Sequence, residues 1–216
     1  SPFAARLRGV SMAAKKKATK RSARVPENRA HVLRVSLIGP EPEIWRRVLI
    51  HSELDFGTLH DVLQAVMGWE KSHLHQFRVR NQRITDPGFG LDSFDPEDTV
   101  WSEAAVTLEE ALPKAGEVFD YEYDFGDGWR HRITVEEIQS FDVDPPIVWC
   151  LDGAGACPPE DCGGPPGHHH LKTVMADPAS PDFEEMVEWL GGPYDPNAFD
   201  ARAVNRELCR WVLSQV

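Results

Sequence analysis

The chain has 216 residues and a formal net charge of -12. That length is enough for one domain with its own hydrophobic core and a tail, and no stretch approaches the roughly 18 consecutive apolar residues of a membrane-spanning helix. The charge is uneven, because residues 1–29 carry nine Lys or Arg and one acid, Glu27, which leaves -20 for the rest of the chain. Such an acidic body disfavours broad contact with a nucleic-acid backbone.

The basic arm, residues 1–29, has no apolar periodicity, and we predict that it is disordered. Its charge either holds it loosely on nucleic acid or on the acidic body, or makes it a solubilising tail. The nucleic-acid contacts would come from Lys15, Lys16, Lys17, Lys20 and Arg21. We expect translation to start at Met12, and the segment before it lacks the apolar core of a signal peptide. Four Cys residues then suit a reducing cytoplasm, with free thiols or a metal site rather than disulfides.

Apolar and polar residues alternate in two segments, which predicts antiparallel strands at residues 31–38 and 44–51. An amphipathic helix is predicted at residues 58–68, followed by a third strand at residues 73–80. Apolar residues recur with helical spacing at Leu59, Val62, Leu63, Val66 and Met67. Residues 86–100 are rich in Pro, Gly and Asp and predict a loop.

A β-hairpin is predicted at residues 117–138, where apolar and charged residues alternate on both sides of Gly126-Asp127-Gly128. A two-residue turn would place mismatched faces opposite each other. A three-residue loop with Gly128 at positive φ makes both faces agree. We therefore expect the cross-strand pairs Phe125–Trp129, Tyr123–His131, Asp124–Arg130 and Glu122–Arg132.

The C-terminal third is predicted to be helical after a loop rich in Cys, Pro and Gly at residues 150–167. A short helix is expected at residues 170–176, a second after Asp182 and a last one after Asp200. The residues expected to face inward are Met186, Val187 and Leu190 in the second helix and Val204, Leu208, Trp211 and Val212 in the last.

Together these elements predict an α+β fold: a mainly antiparallel sheet with helices packed on one face and a helical C-terminal third. A further short helix opens with a capping box at Thr107, before the hairpin. Since no internal repeat is found, residues 30–216 are expected to form a single domain.

A metal site is one interpretation of the loop at residues 157–164, which carries two thiols and two carboxylates and precedes the histidines at 168–170. Zinc prefers sulfur and nitrogen ligands, but the spacing is C-x4-C, so a rigid loop with packed cysteines is the competing interpretation. If the third strand lies beside the hairpin, His75 and His131 converge near this loop, whereas Asp124 points to the opposite face from His131. The predicted zinc ligands are Cys157, Cys162, His75 and His131, with Glu160 or Asp161 as a base.

Motifs of common enzyme classes are absent from the sequence. Asp124-Phe125-Gly126 copies the magnesium-binding triplet of protein kinases, but neither a Gly-rich phosphate loop nor a catalytic-loop motif accompanies it. The chain also lacks the P-loop, nucleophile-elbow and HExxH motifs. Sequence motifs therefore give no support to catalysis.

The chain nevertheless contains a series of motifs whose order is specific enough to compare with a known family. They are Ile44-Trp45-Arg46-Arg47-Val48, Thr58-Leu59-His60, Met67-Gly68-Trp69, His73-Leu74-His75-Gln76-Phe77, Tyr123-Asp124-Phe125-Gly126-Asp127-Gly128-Trp129-Arg130-His131, Ala156-Cys157-Pro158-Pro159-Glu160-Asp161-Cys162-Gly163-Gly164, Tyr194-Asp195-Pro196 and Phe199-Asp200. With these motifs, residues 30–216 resemble the plasmid pRiA4b ORF-3-like domain family of MM3350-like fold, which includes passenger proteins of insertion elements. The chain departs from the family at His168, where a Tyr is expected.

The resemblance implies an α+β fold, an association with plasmids and mobile elements, and a clustering of the motif residues in one shared site. The residues of that shared site would be Trp45, Arg46, Arg47, His73, His75, Asp127, Trp129, His131, Glu160 and Asp161.

Our leading hypothesis is a cytoplasmic, non-catalytic binding or interaction domain. Its acidic body suits a basic protein partner, the arm adds weak nucleic-acid contact, and no membrane is involved. One alternative is a zinc-dependent enzyme with a His/Cys site. The other is a structural zinc site combined with weak DNA binding through the arm, zinc being the only cofactor that the residues suggest.

Overall fold

The computed structural model describes residues 28–89 and 99–214. Its strands are β1 (Asn28–Leu37), β2 (Ile44–His51), β3 (His75–Val79), β4 (Gln82–Thr85), β5 (Thr99–Ser102), β6 (Val118–Tyr123), β7 (Trp129–Phe141) and β8 (Val148–Ala154). Its helices are α1 (Phe56–Met67), α2 (Leu108–Ala111), α3 (Gly164–Met175), α4 (Phe183–Leu190) and α5 (Ala201–Ser214).

The strands form one sheet in the order β5-β4-β3-β6-β7-β1-β2-β8. Only β4 and β5 run parallel, and the other neighbouring strands are antiparallel. The predicted α+β fold is confirmed. Within the described ranges, no helix is long and apolar enough to cross a membrane.

The first two strands and the first helix lie where the local sequence predicts them. β2 has the predicted bounds and pairs antiparallel with β1, with Leu33 opposite Val48. α1 begins two residues earlier than predicted, because the Asp55 carboxylate accepts a hydrogen bond of 2.7 Å from the Thr58 amide and caps the helix. The five predicted apolar residues of α1 are all buried in the main hydrophobic core, so the helix packs on the sheet through that face.

The predicted hairpin register is wrong by two residues. Tyr123 ends β6 and pairs with Trp129, so the loop has five residues rather than three. Asp124 leaves the strand because it takes a left-handed conformation with φ of 52°, and its amide donates to the carbonyl of Leu74 at 2.9 Å. The expected faces are preserved for the residues that stay in the strands, since a shift of two residues keeps each side chain on its own side of the sheet. Asp124 and Phe125 instead lie in the loop, where Phe125 is exposed rather than on the apolar face. The paired acids and bases become Glu122–Arg130 and Asp120–Arg132.

The prediction misses β4, β5 and β8, and β5 begins inside the predicted loop at residues 86–100. β8 lies partly in the predicted loop at residues 150–167, and its Cys150 is buried in the core. β8 is an edge strand, and the side-chain amide of Asn205 in α5 covers it by bonding both the amide and the carbonyl of Cys150 at 2.8 Å. Short strands with a glycine or many polar residues carry too few alternations to be recognised locally.

The C-terminal helices lie near their predicted positions, but not all of the residues predicted to face inward are buried. α3 begins six residues before the predicted start, with prolines in its first turn. In α4 no residue is fully buried, so the predicted inward-facing Met186, Val187 and Leu190 are only half-buried. α5 confirms the prediction, because Leu208 is buried and its apolar neighbours pack against the core.

The basic arm falls almost entirely outside the described residues. This applies to the predicted nucleic-acid contacts Lys15, Lys16, Lys17, Lys20 and Arg21. Asn28 and Arg29, assigned to the arm, instead belong to β1, and the Arg29 guanidinium pairs with the Glu109 carboxylate at 2.9 Å. The division into an arm and one domain otherwise stays a prediction.

Candidate functional site

Three chain segments meet at the end of the sheet where β6 joins β7. They are the segment leading into β3, the hairpin loop after Tyr123, and the Cys-containing loop before α3. The Asp124 amide bonds the carbonyl of Leu74, which joins the first two segments, and the Asp127 carboxylate accepts a bond of 3.1 Å from the Gly163 amide, which joins the last two. The backbone therefore holds the three segments together.

His73 lies at the centre of this junction, facing three carboxylates. Its Nε2 is 3.1 Å from Asp161 Oδ1, 3.7 Å from Asp124 Oδ2 and 3.8 Å from Glu160 Oε2. Although this nitrogen is buried, it forms no hydrogen bond with any described residue. Two atoms that bind one ion at about 2.1 Å and about 90–110° lie roughly 3.0–3.4 Å apart. The separation from Asp161 falls within this range, and those from Asp124 and Glu160 exceed it by less than about half an ångström. The ligand atoms of His73, Glu160 and Asp161 lie within 4.8 Å of one another.

Asp124 is held with one carboxylate oxygen free for this centre. Its Oδ1 accepts from the amide of Gly126 at 2.9 Å and from that of Asp127 at 3.3 Å, inside the hairpin loop. Its Oδ2 points to His73, and the side chain is only 9% exposed. A buried carboxylate is costly without a cation, so this placement favours a positive charge at the centre.

Glu160 is arranged in the same way. Its Oε1 accepts from the Glu70 amide at 2.9 Å and from the Tyr123 hydroxyl at 2.7 Å, which leaves Oε2 towards His73. Burial, and then the bond to Glu160, raise the pKa of Tyr123 well above its usual value, so the phenol stays protonated and donates. Such outer hydrogen bonds orient the ligands of metal sites.

Asp161 supplies the solvent-facing side of the centre. It adopts positive φ, 56°, and its side chain is 72% exposed. Across the described part of the chain, no Lys or Arg forms a salt bridge with this carboxylate or with those of Asp124 and Glu160. Three acids thus surround a single imidazole, and the centre is suited to bind a cation.

The predicted zinc set, Cys157, Cys162, His75 and His131, is not assembled, which corrects the sequence interpretation. The Nε2 of His75 bonds Glu103 at 2.8 Å, and the ring stacks on His60 at 3.5 Å. The ring of His131 is fully buried between Trp69 and Tyr121. In the described residues, the group with ligating geometry is instead His73, Glu160 and Asp161.

The buried groups around the centre are neutral. Burial raises the pKa of Cys157 well above its usual value and that of Cys162 to about 12, so both thiols stay protonated. Burial lowers the pKa of His131 to about 3, which the nearby backbone of Tyr121 offsets only in part. It also lowers the pKa of His60 to about 3, and the His60 ring bonds the Tyr121 hydroxyl at 2.8 Å.

The motif Trp45-Arg46-Arg47 in β2 does not reach the centre. Arg46 is buried and bonds four carbonyl oxygens at 2.8–3.0 Å, with its guanidinium 4.6 Å from the Phe199 ring. Trp45 and Arg47 alternate with it and lie on the other face of the sheet, where Arg47 pairs with Glu136 at 2.6 Å. These residues hold the sheet together, so the predicted single shared site is only partly formed.

The remaining predicted site residues have positioning roles. Asp127 anchors the Cys-containing loop, as described above, and Trp129 is buried 6.0 Å from the Trp69 ring. At the unusual position, His168 is buried and bonds the Tyr194 hydroxyl at 2.9 Å, so it packs in the core. The sequence interpretation missed Asp124 as a partner of His73 and Tyr123 as the donor to Glu160. No local pattern in the sequence signalled the former, because the left-handed conformation of Asp124 is visible only in the structure.

Comparisons with known proteins agree with the observed fold. The family model described as plasmid pRiA4b ORF-3-like protein matches residues 29–203. An uncharacterized protein, y4hQ of Sinorhizobium fredii (strain NBRC 101917 / NGR234), is 39% identical over 179 residues, which is 82% of this chain and 89% of that protein. The crystal structure of MM3350 from Methanosarcina mazei Go1, a protein of unknown function, superposes with a TM-score of 0.71 at 31% identity, covering 81% of this chain and 96% of that one. The chain therefore belongs to the plasmid pRiA4b ORF-3-like family.

Proposed function

We propose that this chain is a binding domain organised around one divalent metal ion, held by His73, Asp124, Glu160 and Asp161. The observation that carries the proposal is the buried His73 Nε2, which lacks a hydrogen bond among the described residues and faces three carboxylate oxygens. Two of these carboxylates have their second oxygen fixed by backbone or phenol donors. The ligands are thus oriented before any ion arrives, which favours binding.

The ligand chemistry favours a transition-metal ion such as Zn²⁺ over Mg²⁺. Imidazole suits zinc and its neighbours in the first transition row, and carboxylates also bind zinc at about 2.0–2.2 Å. Mg²⁺ prefers all-oxygen octahedral surroundings and retains several waters. We therefore take Zn²⁺ as the ion to test, with Mg²⁺ as the comparison.

The ion would join three segments that are far apart in the chain. His73 precedes β3, Asp124 follows β6, and Glu160 and Asp161 precede α3. Because an ion that binds only the folded state stabilises it by mass action, saturating zinc at about 100 times its dissociation constant would add about 2.7 kcal/mol. Such a stabilising ion is the structural zinc site that the sequence suggested as an alternative, but with other ligands.

A non-catalytic role and a basic protein partner are part of the same proposal, and the acidic charge of the chain supports the basic partner. A cytoplasmic location is supported by its four free cysteines, and an association with plasmids by the description of the family. A second candidate is a metal-dependent enzyme, favoured by the exposure of Asp161, which leaves the ion open to a water or substrate. Zinc-dependent hydrolysis of activated esters, lost in His73→Gln, would support that candidate.

Calorimetric titration of metal-free protein with Zn²⁺ tests the proposed ion. One equivalent should bind, Mg²⁺ should bind much more weakly, and His73→Gln or Asp124→Asn should weaken zinc binding by more than about 100-fold. Tyr123→Phe, which frees Glu160 to rotate, should weaken it by roughly tenfold. Far-UV circular dichroism checks that each variant is folded.

The matched control for His73→Gln is His169→Gln, at an exposed position in α3, and the matched control for Asp124→Asn is Asp120→Asn, in β6. Both should bind zinc like the wild type, as should Cys157→Ser. Absence of stoichiometric zinc binding would refute the proposal. So would zinc binding that survives His73→Gln and Asp124→Asn but is lost in Cys157→Ser, since it would restore the cysteine-based site.

A further inference from the structure

A cleft of about 370 Å³ opens beside the proposed metal site, between α3 and α4. This volume lies within the range of small-ligand pockets, about 300–1,000 Å³. Its lining residues are Asp161 and Cys162 from the loop, Gly167, His170 and Leu171 from α3, Asp182 just before α4, and Glu185, Met186 and Trp189 from α4. Asp161 is the residue that the cleft and the metal site share.

The side of α4 that lines the cleft carries two acidic and two large apolar residues. Asp182, Glu185, Met186 and Trp189 follow one another at helical spacing and so share one side of the helix. Trp189 is 50% exposed, and α4 contributes no fully buried residue. The Asp182 side chain forms no capping bond with the helix. This side of α4 is therefore available to a ligand instead of being packed in the core.

The charge of the cleft is one-sided. Three carboxylates line it, and among its described lining residues there is no Lys or Arg. An exposed indole between carboxylates suits a guanidinium, which stacks on aromatic rings and pairs with carboxylates in two-bonded geometry. The flanking Met186 suits the aliphatic part of an arginine side chain.

We propose that the α3–α4 cleft binds an arginine side chain of a partner polypeptide. The guanidinium stacks on Trp189 and pairs with Glu185 and Asp182, while the aliphatic part of the side chain covers Met186. This inference goes beyond the metal ion and does not require it. The cleft would then be the place at which this acidic protein recognises a basic partner.

The test titrates the full chain with the tripeptide acetyl-Gly-Arg-Gly-amide and follows binding by calorimetry or by backbone amide chemical shifts. The comparison peptide carries citrulline, which has nearly the same shape without the charge. Arginine should bind at least tenfold more tightly than citrulline, and Trp189→Ala or Glu185→Gln should weaken arginine binding by about tenfold. The matched control is Glu184→Gln, which removes the same charge from the opposite side of α4 and should leave binding unchanged.

Each titration is made with Zn²⁺ and with a chelator. Arginine binding that persists in chelator and in His73→Gln, but is lost in Trp189→Ala, supports the cleft even if no zinc binds. Equal binding of the arginine and citrulline peptides would overturn the proposal. So would equal losses in Glu184→Gln and Glu185→Gln, which would indicate diffuse charge attraction, or unchanged binding in Trp189→Ala.

Discussion

Replacing the buried His131 by leucine should make the protein more resistant to acid. The ring is fully buried, its neutral form is held by burial, and neither nitrogen has a hydrogen-bond partner of normal geometry in the described structure. Leucine has a similar volume and no polar atoms. Since no bond is lost, the free energy of unfolding at pH 7 should stay the same or rise by up to about 1 kcal/mol.

The size of the acid effect follows from linkage. The pKa of His131 is lowered from 6.5 in the unfolded chain to about 3 in the folded protein. Below pH 6.5 the unfolded chain takes up a proton that the folded protein does not, so each pH unit costs about 1.36 kcal/mol of stability. Between pH 7 and pH 4.5 this amounts to about 2.5 kcal/mol for this one group, and none of it is present above pH 7.

Urea unfolding at pH 7 and pH 4.5, followed by circular dichroism, measures the effect. Other buried histidines lower stability in both proteins, so the quantity to compare is the loss between the two pH values. That loss should be about 2.5 kcal/mol smaller in His131→Leu than in the wild type. Equal losses in the two proteins, or a variant destabilised by more than about 1 kcal/mol at pH 7, would refute the reasoning.

The control is His31→Leu. His31 is equally buried, but its ring bonds the Ser52 hydroxyl at 2.9 Å and the Leu112 carbonyl at 2.8 Å. Removing it should cost about 1–3 kcal/mol already at pH 7, because two buried partners lose their bonds. Because burial also lowers the pKa of His31, the two variants are compared at pH 7, where the loss of hydrogen bonds distinguishes them.

Two further predictions follow from the junction and from the arm. Gly164 has φ of 68°, and a β-carbon there would lie 2.3 Å from the Asp127 carbonyl oxygen, so Gly164→Ala should lose about 2–4 kcal/mol in thermal unfolding. Gly192→Ala, with no described atom within 4 Å of the added carbon, should change stability by less than about 0.5 kcal/mol, and equal effects would contradict the steric argument. Deleting residues 1–27, which leaves β1 whole, should abolish any DNA binding, and that binding should weaken steeply with salt in the full chain. Binding retained by the truncated chain would show that the arm is not responsible.

Local patterns in the sequence were sufficient for the elements that depend on near neighbours. The bounds of β2 and the buried face of α1 follow from alternation and helical spacing, and the Thr107 capping box forms as predicted. These features were predictable because each depends on residues at most four positions apart. β8 was missed for the opposite reason, since its pairing with β2 and the Asn205 contact are both distant in sequence.

The hairpin shows where the local argument ends. Alternation correctly assigned Asp120, Glu122 and Arg130 to the polar face, but the register depends on the point at which the chain leaves β6. Asp124 ends the strand because it bonds Leu74 and faces His73, residues about fifty positions earlier. No pattern within the hairpin contains that information.

The sequence by itself determined the fold class, the acidic charge of the protein, and the loops in which reactive side chains lie. It also left a metal site open as one interpretation, for which it selected thiols and strand histidines because those residue types are the usual zinc ligands. Only the tertiary structure decided that His75 and His131 are enclosed by other groups, while His73 meets Asp124, Glu160 and Asp161. The physical reason is that residue type and spacing determine which groups can bind an ion, whereas long-range strand pairing and loop contacts determine which of them come within binding distance.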